Sequence, residues 1–117
     1  MVQGYEVHVL KSLEPKIKRI TVDMEKMPEI RYRGRHWKRR YYPDALIETI
    51  AGNNVLLEVK SLFTLKKSGV ISKAKAAFEF CSQYNNLSYM IALYDKTNGI
   101  RWIRSMPELH SYRNQKL

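Results

Sequence analysis

Apolar positions in the chain first recur at helical spacing. In "GYEVHVLKSLE", residues 4–14, Tyr5, Val9 and Leu13 fall at i, i+4 and i+8, and Pro15 stops any continuation. This predicts a short first helix. In "IKRITVDME" the period changes to two: Ile20, Val22 and Met24 alternate with Arg19, Thr21, Asp23 and Glu25, as in a half-exposed strand. A loop around Met27 and Pro28 leads into "EIRYRGRHWKRRYY", an aromatic, β-compatible stretch with a turn expected at Gly34. Two further runs, residues 41–50 and 55–61, flank "AGNN", whose Gly and Asn residues suit the positive-φ positions of a hairpin connection. They are expected to pair as antiparallel strands. "SKAKAAFEFCSQY" sets Ala74, Ala77, Phe78 and Cys81 at i, i+3, i+4 and i+7, the apolar stripe of a second helix. "LSYMIALY" reads as a strand, "DKTNG" as a turn, "IRWI" as a short last strand, and Pro107 opens a tail with a single helical turn.

The order α-β-β-β-α-β predicts an α/β (α+β) domain. A strand, a crossover helix and a strand pair in parallel, so the central sheet should be mixed, with helices on it. At 117 residues the chain is expected to form one domain, residues 1–117.

Composition narrows the partners. The chain carries 21 Lys and Arg against 11 Asp and Glu, a net charge of +10, which favours polyanions, with nucleic acid as the first candidate. Six of these cations fall within residues 31–40. No apolar run nears the roughly 18 residues that span a bilayer, and the N-terminus has no signal-peptide pattern, so a soluble, cytoplasmic protein is expected. The lone Cys81 cannot form an internal disulfide and is expected as core filler. His8, His36 and His110 lack ligand spacing, which leaves oxygen ligands for any metal. Trp37 and Trp102 are expected to be buried or half-buried.

The candidate chemistry lies on the predicted hairpin. Glu58 and Lys60 are two positions apart and share one face of their strand, whereas Leu57 and Val59 point to the other, expected to be the core. Asp44 joins Glu58 and Lys60 if even-numbered residues pair with even-numbered ones, for example Leu46 across from Glu58; a one-residue slip would turn it away. Pro43 implies a strand end or a distortion there. Two adjacent carboxylates repel unless one is protonated or a cation lies between them, and a divalent ion is the simpler remedy. Oxygen ligands with room for water suit Mg²⁺ or Mn²⁺. Such an ion serves phosphodiester hydrolysis, and a neighbouring lysine can orient water or stabilise charge developing on phosphate.

Pro43-Asp44 followed by Glu58-Val59-Lys60, on a hairpin between one helix and strand and a crossover helix, resembles the PD-(D/E)xK nuclease superfamily over residues 4–94. The string "RRYYPDALIE…LLEVKS" is similar to the endonuclease subunit of heteromeric transposases and to phage Holliday-junction resolvases. The resemblance implies a restriction-endonuclease-like core and a Mg²⁺- or Mn²⁺-dependent DNA endonuclease from a phage or mobile element. It makes Asp44 and Glu58 metal ligands, the Val59 carbonyl a third, and Lys60 the catalytic lysine. It also implies an acidic residue on the first helix, assigned to Glu6, with Val9 and Leu13 after it; Glu14 is the competitor. Arg31, Arg33, Arg35, Lys38, Arg39, Arg40, Lys66, Lys67 and Lys73 are the cations expected to hold DNA phosphates. One such site nicks one strand, so a homodimer or a partner subunit is expected. The residues also leave open an inactive basic nucleic-acid-binding module on the same fold, and a small RNA-associated protein.

Overall fold

The structure, a computed structural model of the 117-residue chain, describes residues 17–33, 37–97 and 99–114. The helix expected at 4–14, the turn at Gly34, and Glu6, Glu14, His8, Arg35 and His36 lie outside them. Chain order runs β1 (Ile17–Thr21), a 3₁₀ turn (Met24–Lys26), β2 (Ile30–Arg33), β3 (Lys38–Tyr41), β4 (Ala45–Thr49) and β5 (Asn54–Ser61). It continues through α1 (Leu62–Leu65), α2 (Val70–Ser82), β6 (Leu87–Asp95), β7 (Gly99–Ile103) and α3 (Met106–Arg113). The result is an α+β fold. Five strands form a mixed sheet in the order β1-β4-β5-β6-β7, and β2 and β3 form a separate two-stranded sheet.

The β4–β5 hairpin closes through Gly52, whose φ of +87° needs no Cβ to be accommodated. Thr49 completes the turn: its N–H donates to the Asn53 carbonyl at 2.9 Å, and its hydroxyl donates to the same carbonyl at 2.8 Å. The adjoining asparagines keep negative φ, contrary to expectation. Beyond β5 the chain crosses over through α1 and α2, and β6 then pairs with β5 in parallel, as the strand–helix–strand order predicts.

Alternation divides the sheet into two apolar faces. Leu56, Tyr89, Ile91, Leu93 and Ile103 lie on the face covered by the helices, where Ala74, Ala77 and Cys81 of α2 meet them as the stripe predicts. Ala74 and Ala77 are small enough to let α2 lie close to the sheet, and Phe78 packs edge-on against Tyr89 at 5.0 Å. The β2–β3 sheet shares this layer through Ile30, Tyr32 and Tyr41. Leu56, Leu65, Ile91 and Leu109 are almost completely buried, and each contributes about 2 kcal/mol by leaving water. Ala45, Ile47, Leu57 and Ala92 form a smaller cluster on the opposite face. Among the described residues no helix is long and apolar enough to cross a membrane.

Several boundaries differ from the pattern. The run 41–50 is two strands, because Pro43 has no N–H for the ladder and ends β3's path at Tyr41. The first strand stops at Thr21, where Asp23 caps the 3₁₀ turn by accepting from the Glu25 N–H at 3.0 Å. Ile20, Val22 and Met24 are therefore exposed rather than forming a buried face. Trp37 is 73% exposed, not buried, whereas Trp102 is half-buried against the smaller cluster. The C-terminal tail holds two turns of helix, started by Ser105, whose hydroxyl accepts from the Glu108 N–H.

Candidate active site at the end of strand β5

Register decides whether the sequence-predicted residues meet. Leu46 pairs with Leu56 and Ala45 with Leu57, so even numbers do face even numbers, two residues away from the expected Leu46–Glu58 pairing. Asp44 therefore shares a face with Glu58 and Lys60. It lies just beyond β4, tied to β5 at both ends: its N–H donates to the Leu57 carbonyl at 2.9 Å, and its Oδ2 accepts from the Val59 N–H at 2.8 Å. These bonds fix the carboxylate at the place where β4 stops and β5 continues. The N–H and C=O of one strand residue point to the same side. Hence the Val59 carbonyl points past the end of β4, towards Asp44.

One expectation about the faces is corrected. The Glu58 side is not an open polar surface opposed to a single core, because Leu56 on that side is fully buried beneath the helix layer. Glu58 itself is 7% exposed, and its Oε2 is buried with no hydrogen-bond partner among the described residues. Burial pushes its carboxyl up to about 8; the Asp44 charge adds to the rise, and Lys60 and the Tyr41 hydroxyl pull it back. Lys60 Nζ is 3.7 Å from Glu58 Oε1, close enough for charge attraction but too long for a hydrogen bond. The ammonium is thus beside the carboxyl pair without being consumed by it.

Two tyrosines that sequence reasoning left without a role close the floor of the site. The Tyr41 and Tyr89 hydroxyls are 2.9 Å apart in the core, with their rings edge to face at 6.3 Å. Burial, with the neighbouring carboxyls behind it, raises both phenols well above the usual range, so both are neutral donors. The only available signal was parity: Tyr89 pairs with Leu56, two residues before Glu58, on the same face. Tyr41→Phe should leave the Tyr89 hydroxyl orphaned and lower the unfolding free energy by about 1–3 kcal/mol. In urea denaturation, Tyr41→Phe combined with Tyr89→Phe should recover part of that loss. Strictly additive losses would refute the shared bond.

The proposed phosphate-binding cations separate into distinct groups. Arg31 and Arg40 flank Glu29 at 3.1 and 3.2 Å, and the Tyr42 hydroxyl donates to it at 3.0 Å. Arg31 and Tyr42 hold the Glu29 carboxyl below its usual value. Arg33, Arg39 and Lys73 line a cleft between the β2–β3 sheet and the start of α2. The Lys73 ammonium lies 5.9 Å from the centre of the Tyr41 ring, which connects that cleft to the floor of the carboxylate site. Lys67 covers the exposed Phe63 ring at 5.7 Å, Lys38 is exposed, and Lys66 is half-buried.

The donor set can be tested against a divalent ion. Among the described residues no third His, Cys, Asp or Glu joins Asp44 and Glu58. Mg²⁺ usually takes only one or two carboxylates and keeps several waters, so Asp44, Glu58 and the Val59 carbonyl form a fitting set. The orphaned Oε2 of Glu58 is the strongest single indication: a buried carboxylate oxygen without a donor is costly, and the metal-free carboxyl meets that cost by holding its proton, where a cation would let it ionise. No family model, curated protein or solved structure matches the chain.

Proposed function

We propose that the chain is a metal-dependent DNA endonuclease of the PD-(D/E)xK kind. The observation that carries this reading is the buried Glu58 Oε2, which has no hydrogen-bond partner among the described residues, on a carboxyl beside Asp44 with Lys60 alongside, at the point where β5 outruns β4. Sheet order supports it too: an antiparallel β1-β4-β5 meander followed by a helical crossover to parallel β6 agrees with a restriction-endonuclease-like core. The net charge of +10 suits a polyanionic substrate.

Mg²⁺ or Mn²⁺, held by Asp44, Glu58 and the Val59 carbonyl, would polarise a phosphate oxygen and acidify water. The chain's own residues supply the rest. Asp44 keeps its orientation through the Val59 N–H, and so presents a negative oxygen without reorganising. Lys60 extends from the same face and offers three N–H donors to a non-bridging phosphate oxygen, where charge grows during hydrolysis. Its ammonium also positions water for in-line attack on phosphorus; the opposite P–O ester bond breaks, the leaving sugar oxygen takes a proton from solvent, and the proton lost by the attacking water passes to bulk solvent. Tyr41 and Tyr89 hold the Glu58 side of the site from below. A single site cleaves one strand, so cutting two requires a second copy or a partner subunit.

The experiment is a digestion panel of four-way junction, nicked, single-stranded and linear duplex DNA, with Mg²⁺, with Mn²⁺ and with EDTA. Cleavage is expected with either ion on at least one substrate and is expected to vanish with EDTA. Binding without cleavage on every substrate, in both ions, would overturn the enzyme and favour a nucleic-acid-binding module.

A further inference from the structure

The cleft between the β2–β3 sheet and the start of α2 has a volume of about 530 Å³ and is lined by Tyr32, Arg33, Arg39, Ser68, Ser72 and Lys73, with no carboxylate among the described residues. The neighbouring cations differ: Arg31 and Arg40 pair with Glu29, and Arg19 pairs with Glu48. Among the described residues Arg33, Arg39 and Lys73 have no carboxylate partner. Register accounts for Arg39, and position at the strand end for Arg33. Tyr32 pairs with Arg39, on the side that carries Ile30 and Tyr41 into the helix-covered core; Arg33, across from Lys38, shares the other side with Arg31 and Arg40 and lines the cleft from the end of β2. Arg31 and Arg40 are neutralised by Glu29; the cleft keeps three like charges and, among the described residues, no carboxylate to balance them.

Like charges gathered in a concave site repel one another, and their low-dielectric walls focus the field on whatever anion enters. The hydroxyls of Tyr32, Ser68 and Ser72 add donors that suit phosphate oxygens. The space exceeds what one phosphate group fills, and Lys73, over the Tyr41 ring, joins it to the floor of the carboxylate site. We infer that this cleft holds successive backbone phosphates of a nucleic-acid strand whose neighbouring phosphodiester lies at Asp44, Glu58 and Lys60. Only the last part, the position relative to the reacting bond, rests on the nuclease reading; binding in the cleft does not.

The two are separated by measuring binding without catalysis. A labelled DNA duplex is titrated with the full chain in EDTA over a series of salt concentrations. Arg33→Gln, Arg39→Gln and Lys73→Gln should each reduce the slope of log K against log salt by about 0.9, the change for one lost phosphate contact. Lys18→Gln, on the exposed edge strand β1, should leave the slope unchanged. Arg33 and Arg39 are exposed, so their variants should keep the wild-type unfolding midpoint, and a changed slope cannot be read as lost fold. Slopes that stay at the wild-type value in all three variants, or that fall equally in Lys18→Gln, would overturn the inference. A chain that never cuts DNA can still pass this test, and one that cuts can fail it.

Discussion

Asp44→Asn is expected to abolish metal-dependent cleavage while leaving the fold and DNA binding in EDTA intact. The asparagine amide oxygen can still accept from the Val59 N–H, so the tie that holds the end of β4 to β5 survives. What is lost is the negative charge that a hard cation requires of its ligands. Even outer-shell partners of metal sites cost about 10–100-fold when removed, so loss of a ligand should lower the single-turnover rate by at least about 100-fold. Lys60→Met should cost a further transition-state donor, about 10²–10³-fold in rate, without changing affinity for the ion. An Asp44→Asn protein that cuts at the wild-type rate would remove the carboxylate from the chemistry.

Glu58→Gln should abolish the pH dependence that this carboxyl gives the metal-free protein. In the unfolded chain this carboxyl titrates near its ordinary value of 4.5, whereas burial and the Asp44 charge push it to about 8 in the fold. Between those values the folded state binds more protons than the unfolded state, so raising the pH destabilises the protein. The limiting slope is about 1.4 kcal/mol per pH unit. The stabilising protonated form is fully present below the lower value and lost above the upper one. Glutamine has no charge to desolvate, so the variant's stability should stay flat through this window and exceed wild type above it. Added Mn²⁺ should restore the wild type by mass action and leave Glu58→Gln unmoved. Urea midpoints across the window, in EDTA and in Mn²⁺, give the comparison; parallel curves for the two proteins would contradict it.

These effects come from a part of the molecule that was only partly legible in the sequence. Asp44, Glu58 and Lys60 could be grouped because period-two alternation fixes which residues share a face once the hairpin is placed, and parity survived even though the register moved by two residues. The α2 stripe was equally readable, since Ala74, Ala77 and Cys81 repeat at helical spacing. Burial was not. Glu58 sits on a face that is apolar at Leu56 and polar at Lys60, and no local pattern reveals where along one strand the helix layer ends. Tyr41 and Tyr89 are 48 residues apart, and their shared hydrogen bond comes from packing of the β2–β3 sheet in the same core layer as β6, which local sequence does not encode. The β2–β3 sheet was masked by its charge: the cationic run reads as a nucleic-acid surface, while Ile30, Tyr32 and Tyr41 quietly carry its packing.

Calorimetric titration of the metal-free chain with Mn²⁺ bears on the carboxylate pair without depending on any DNA substrate. One ion per chain should bind to the wild type and to Lys60→Met, and binding should be lost in both Asp44→Asn and Glu58→Gln. No binding by the wild type, or binding that persists undiminished in both carboxylate variants, would mean that Asp44 and Glu58 do not meet around a metal.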